Sequence, residues 1–110
     1  MRLPSGDSAI IDPRKIFDYC LSPDHEDGKH KSHLFASVLG LRSDQADQLV
    51  EALRGAAAAG DAALGKRDKY GQRYVIDFEL AGTSGNARIR SAWIIRENET
   101  VPRLVTCYIL

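Results

Sequence analysis

The three histidines of this chain lie in one short polar segment, together with two lysines. His25, His30 and His33 fall within nine positions, and Lys29 and Lys31 lie between the first and the last of them. Imidazole titrates near neutral pH and is the usual proton carrier in enzymes, while an ammonium group holds phosphate or stabilises negative charge in a transition state. The segment therefore indicates acid–base chemistry at a phosphate. A solvated loop that leads into a helix explains the same residues without any chemistry.

Metal and cofactor chemistry finds little support in the sequence. The histidines are separated by four residues and then by two, a spacing that matches no recognised zinc motif, although His30 and His33 would share a face of a helix. The chain has no glycine-rich phosphate or dinucleotide loop, no serine nucleophile elbow and no Cys-x2-Cys pair. Cys20 and Cys107 alone imply no disulfide framework. The sequence thus predicts no metal and no cofactor, and it disfavours nucleotide-cofactor folds and serine hydrolases.

A second group of candidate residues lies near the end of the chain. Thr106 and Tyr108 are two residues apart, so in a strand both hydroxyls leave the same face of the sheet, where they can orient a phosphate and a sugar or base. The cationic residues of this part are all arginines, whose guanidinium groups match phosphate oxygens with two parallel hydrogen bonds. They are Arg88, Arg90, Arg96 and Arg103. The alternative is that Thr and Tyr are simply favoured in strands and that the arginines form a solvated face.

The hydrophobic pattern that must position these residues changes once along the chain. Up to Gly60, apolar residues recur at helical spacing and predict about three helices. The first covers 13–21, the second is marked by the apolar residues from Leu34 onward and ends at Gly40, and the third runs from Ser43 to Gly60. Beyond Gly60 the pattern alternates, which predicts an antiparallel sheet of three to four strands. Helices followed by such a meander define an α+β fold.

Three details of the predicted sheet concern the candidate residues. The alternation places Val105, Cys107 and Ile109 on one face of the last strand, and Leu104 with Thr106 and Tyr108 on the other. Trp93 lies in an apolar strand and is expected in the core rather than as a platform for a base. The fourth strand would come from 62–66, and a further short strand from 9–11.

Length and composition describe one domain over residues 1–110. The chain has 44% hydrophobic and 27% charged residues, which excludes a disordered protein. No apolar run approaches the roughly 18 residues of a membrane helix and no signal segment opens the chain, so we expect a cytoplasmic protein without a membrane partner. Fifteen basic and fifteen acidic residues give a formal charge of zero, which is low for a dedicated nucleic-acid binder. The oligomeric state is left open.

Several short motifs stand out in a characteristic order. They are Leu3-Pro4, Ile11-Asp12-Pro13-Arg14-Lys15, Asp18-Tyr19-x-Leu21-x-Pro23-x-His25, Lys31-x3-Phe35, Leu39-Gly40, Tyr70-Gly71-x2-Tyr74-Val75, Trp93-Ile94-Ile95-Arg96 and Pro102-Arg103-Leu104-Val105-Thr106-x-Tyr108. Together they resemble a family of small bacterial domains known only as a domain of unknown function. The resemblance covers nearly the whole chain, although family members usually have a proline where this chain has Ile109.

A looser resemblance concerns the chemistry. A helical part with His and Lys, followed by a sheet that ends in Thr-x-Tyr, is similar to the metal-independent ribonuclease toxins of the barnase, EndoU, colicin and RelE type. The resemblance implies that His25 is the general acid/base and that Lys31 stabilises the pentacoordinate phosphate. It implies that Thr106 and Tyr108 position the scissile phosphate, with Arg103 in support. RNA is then the expected substrate, no cofactor is needed, and a cognate antitoxin or immunity protein is the expected partner.

Further substrate contacts are expected from Lys29 and Arg90. Two other functions stay open at the level of the sequence. One is a non-catalytic binding module of the immunity or antitoxin type, which the balanced charge and small size favour. The other is a pocket for phosphate or a nucleotide, built from the same residues but without turnover.

Overall fold

The computed structural model of the chain describes residues 1–12, 14, 39–40 and 46–110. Its elements are a 3-10 turn at Gly6–Ser8, helix α1 (Ala46–Ala59), and strands β1 (Ala62–Asp68), β2 (Gly71–Ala81), β3 (Asn86–Arg96) and β4 (Arg103–Ile109). The four strands form one antiparallel sheet in chain order. The predicted α+β fold with its antiparallel meander is therefore confirmed, and the fourth strand is present as β1.

Over the described ranges, the helical part consists of α1, which is one of the about three predicted helices, and a 3-10 turn. The α1 helix ends before Gly60, as predicted, and its apolar stripe is buried. Most of the first predicted helix, most of the second and the predicted cap Ser43 lie outside the described residues. Gly40 has a φ of 73°, the left-handed conformation that typically ends a helix. No helix in the described part is both long and apolar enough to span a membrane.

One face of the sheet packs against α1 and forms the hydrophobic core. Its fully buried members include Leu39, Leu49, Leu53, Ile76, Ile89, Trp93 and Cys107. Ser91 is buried among them, and its hydroxyl donates to the carbonyl oxygen of Ile76 at 2.8 Å. The same hydroxyl accepts the indole N–H of Trp93 at 2.9 Å, so each polar atom of this contact has a partner. The predicted place of Trp93 in the core is confirmed.

The last strand departs from the predicted alternation at one residue. Ala92 lies opposite Thr106, but the next residue of β3, Trp93, lies opposite Leu104, so Val105 is the extra residue of a β-bulge. The prediction that Leu104 shares a face with Thr106 is therefore wrong, and Leu104 is buried on the core side. The same shift places Arg103 on the same face as Thr106. Regular alternation would have placed these two residues on opposite faces.

The predicted short strand near the N-terminus is present as a single parallel bridge. The N–H of Ile10 donates to the carbonyl of Pro102, and the N–H of Leu104 donates to the carbonyl of Ile10, each at 2.9 Å. These bonds hold the N-terminal segment against the edge of β4 that faces away from β3, beside Arg103.

Candidate substrate-binding face

The face of the sheet opposite α1, which we call the outer face, carries three successive cross-strand rows of side chains. The rows are Asp77–Arg90–Tyr108, Val75–Ala92–Thr106 and Arg73–Ile94–Arg103. Two residues along a strand span about 6.8 Å, so the first and third rows lie about 14 Å apart. Two rows with guanidinium groups thus flank one uncharged row.

The first row is held together by a bidentate ion pair. Nε and Nη2 of Arg90 each donate to a different carboxylate oxygen of Asp77 at 2.9 Å. These hydrogen bonds lower the pKa of Asp77, while its partial burial acts in the opposite direction. They also raise the pKa of Arg90 above its usual range, with a smaller contribution from the side chain of Tyr108. The pair is therefore ionised at neutral pH and fixes the guanidinium beside the tyrosine.

The middle row is uncharged and low. Val75, Ala92 and Thr106 are all half-buried. Ala92 has only a methyl group, whereas the neighbouring rows carry longer side chains such as Arg90 and Arg103. Thr106 provides the hydroxyl of the middle row, on β4.

The third row opens into a pocket of about 290 Å³, which we call the arginine pocket. Its wall is formed by Ile94, the N-terminal segment, Tyr70 and three arginines. The arginines are Arg73, Arg96 and Arg103. Three guanidinium groups in one pocket provide up to fifteen N–H donors, a surface suited to an anion with several oxygens.

Carboxylates at the rim balance only part of this charge. Nε of Arg103 donates to Glu99 at 3.0 Å, and Nη1 of Arg96 lies 3.9 Å from the other oxygen of the same carboxylate. Nε of Arg73 lies 3.5 Å from Asp68. Among the described residues, these three guanidinium groups thus share two carboxylates, which leaves one positive charge in excess.

Asp12 also lines the pocket but is engaged elsewhere. Its two carboxylate oxygens accept hydrogen bonds from the side chain of Arg14, with Nη2 at 3.1 Å and Nε at 3.3 Å. The charge of Asp12 is therefore countered by that arginine and does not cancel the excess of the pocket.

The outer face brings together residues of the second candidate group, including Arg96 in the arginine pocket. Thr106, Tyr108 and Arg90 lie in its first two rows, and Arg103 lies in the third. The other candidates, His25, Lys29 and Lys31, lie outside the described residues.

Three residues of this face were missed by sequence reasoning. They are Tyr70, Arg73 and Asp77. Positions 73, 75 and 77 have the parity opposite to the buried Tyr74 and Ile76, and this parity is the signal that would have placed them on the outer face.

Comparisons with known proteins agree with this architecture. A chain of the "Contact-dependent growth inhibition toxin - immunity protein complex from Klebsiella pneumoniae 342" superposes with a TM-score of 0.72 and 19% sequence identity, over 92% of this chain and 99% of that chain. At this identity the likeness shows the fold. No curated protein matches the chain. The sequence matches, over residues 2–110, the family described as a domain of unknown function, and the chain therefore belongs to the DUF6883 family.

Proposed function

We propose that the chain is the toxin of a toxin–immunity pair, a metal-independent endoribonuclease that binds RNA on the outer face. One observation carries the proposal: the Thr106 and Tyr108 side chains lie on one sheet face beside the fixed guanidinium of Arg90, and this face continues into the arginine pocket. The likeness in fold to a chain of a toxin–immunity complex supports a cognate protein partner.

RNA cleavage of this type needs few groups and no cofactor. A base takes the proton of the 2′-hydroxyl, and the freed oxygen attacks the adjacent phosphorus. The bond from phosphorus to the 5′-oxygen then breaks, and an acid protonates the leaving oxygen. The products are a 2′,3′-cyclic phosphate and a 5′-hydroxyl, so atoms and charge balance without an oxidant or a metal.

In this proposal each candidate residue has one role. His25 is the general acid/base: it takes the proton of the 2′-hydroxyl and gives it to the leaving 5′-oxygen. Lys31 stabilises the charge of the pentacoordinate phosphorus. Thr106 and Tyr108 position the scissile phosphate. The remaining cations hold neighbouring parts of the RNA backbone; these are Lys29, Arg90 and Arg103.

The test uses a single-stranded RNA oligonucleotide in the presence of EDTA. We expect wild-type protein to release a fragment with a 2′,3′-cyclic phosphate. We expect His25→Ala to lose more than 100-fold in rate, within the range for removal of a general acid–base group. Tyr108→Phe tests the phenol without removing the ring. Arg54→Ala, on the exposed side of α1, is the matched control for loss of a cation and should cleave normally.

Two outcomes would contradict the proposal. Full activity of His25→Ala would remove the proposed acid–base residue. Cleavage of an oligonucleotide in which every 2′-hydroxyl is methylated would exclude attack by that hydroxyl.

The alternative function is an immunity-type binding module. It is favoured by the balanced charge of the chain and by the pairing of each outer-face arginine with a carboxylate. Expression of the wild-type chain alone in bacteria separates the two functions. Growth arrest that His25→Ala relieves supports the toxin, whereas normal growth together with a stable complex with a toxin supports the module.

A further inference from the structure

An exposed aromatic ring stands at the rim of the arginine pocket. Tyr70 lines this pocket and is 59% exposed, whereas Tyr74 and Trp93 are buried in the core. The ammonium group of Lys69 lies 5.2 Å from the centroid of the Tyr70 ring, within range of a cation–π contact. An aromatic surface is thus accessible at an end of the outer face where three arginines line one pocket.

The backbone of Tyr70 is fixed although its ring is exposed. Its N–H donates to a carboxylate oxygen of Asp68 at 2.9 Å, and its carbonyl accepts the N–H of Glu97 at 3.2 Å. The next residue, Gly71, has a φ of 143° and packs so closely that a β-carbon there would collide with the carbonyl oxygen of Ile95. The turn between β1 and β2 is therefore held against β3, and the backbone of Tyr70 is held beside the pocket.

Two features define the ligand chemistry of the pocket. Its excess positive charge and its guanidinium donors suit a phosphate group, which accepts two parallel hydrogen bonds from each guanidinium. Its volume of about 290 Å³ is at the lower limit for small-ligand pockets, so it fits one phosphate with an attached sugar or base rather than a duplex.

We propose that the arginine pocket and Tyr70 form a nucleotide subsite, in which Arg73, Arg96 and Arg103 hold one phosphate of single-stranded RNA and the Tyr70 ring stacks on a neighbouring base. This inference rests on the proposed function for the identity of its ligand. It adds a binding residue, and it defines the path of the strand along β3 from the Thr106 row to the pocket. Stacking on a tyrosine favours an unpaired base, so the substrate is single-stranded at this point.

The test measures binding and needs no cleavage. The probe is a fluorescent single-stranded RNA oligonucleotide with 2′-O-methyl groups, compared with an oligomer of the same length that lacks all bases. Loss of one stacked base corresponds to a roughly 5- to 100-fold loss of affinity. We expect Tyr70→Leu to weaken binding of the base-bearing oligomer by this factor and to leave binding of the abasic oligomer unchanged.

Three further variants complete the design. Tyr70→Phe keeps the ring and should bind both oligomers like wild type. Arg73→Ala removes a phosphate contact and should weaken binding of both oligomers by similar factors. Arg54→Ala controls for net charge and should bind both normally.

The possible results separate the subsite from the cleavage activity. If Tyr70→Leu binds both oligomers like wild type, or loses the same factor in affinity for both, there is no stacking subsite. Cleavage of unmodified RNA is judged separately, by the assay of the proposed function. If the wild type binds neither oligomer, the subsite is also refuted. If binding follows the expected pattern but unmodified RNA is never cleaved, the subsite stands and the ribonuclease proposal fails.

Discussion

The buried contact between Ser91 and Trp93 provides a quantitative test of how the sheet is held together. Ser91→Ala removes a hydroxyl that donates to the carbonyl of Ile76 and accepts the indole N–H of Trp93, all inside the core. The indole N–H then has no acceptor, and an unsatisfied buried donor costs about 1–3 kcal/mol. We expect the free energy of unfolding to fall by about 2 kcal/mol. For a chain of this size, this corresponds to a fall in Tm of roughly 8–16 °C.

The measurement is thermal and urea unfolding followed by circular dichroism, arranged as a double-mutant cycle. Trp93→Phe removes the indole N–H, so Ser91→Ala in that background leaves no orphaned donor. We expect Ser91→Ala to cost about 1 kcal/mol less in the Trp93→Phe background than in wild type. An equal cost in both backgrounds would refute the assignment of the effect to the indole N–H.

Three further predictions concern the outer face and its support. Ala92→Ile places a larger side chain, favoured in strands, between the two charged rows. We expect oligonucleotide affinity to fall at least about tenfold while Tm changes little. Unchanged affinity for the fluorescent oligonucleotide would show that RNA does not cross this row. Gly71→Ala forces a β-carbon against the Ile95 carbonyl at a positive φ. The free energy of unfolding measured in urea should therefore fall by about 2–3 kcal/mol. An unchanged free energy of unfolding would mean that the turn is free to shift. The folded-state pKa of Asp77 is lowered by Arg90, so the pair stabilises the fold above the pKa of the unfolded carboxyl, and this contribution is lost as pH falls below about 4. Between about pH 5 and about pH 2, the free energy of unfolding of wild type should therefore fall more than that of Asp77→Asn. Parallel curves of unfolding free energy against pH for the two proteins would contradict this.

The spacing of apolar residues predicts the buried face correctly where that spacing continues without interruption. The helix from Ser43 to Gly60 and the core position of Trp93 in β3 were predicted, because one side of each element faces the same core. The pairing of Arg90 with Asp77 was not predicted. These residues are thirteen positions apart, and only the register of the β2–β3 hairpin places them opposite each other. Alternation within one strand carries no information about that register.

The error at the start of β4 has a related cause. Alternation assigns faces by counting residues, and the extra residue Val105 changes the count for Leu104 and Arg103 together. The sequence shows no glycine or proline at this point to indicate a bulge. The proton-transfer half of the candidate site, His25 with Lys31, stays a prediction because these residues lie outside the described part of the chain.

The bridge between Ile10 and Arg103 has a consequence for the order of folding. It joins residues near opposite ends of the sequence, and both line the arginine pocket. A contact of such long sequence separation incurs the largest loop-closure entropy and forms only after the local hairpins can support it. The pocket is then among the last features to assemble, so a partly folded chain has its β2–β3 hairpin but no complete arginine pocket. For a chain that cleaves RNA, binding competence would coincide with completion of the fold rather than precede it.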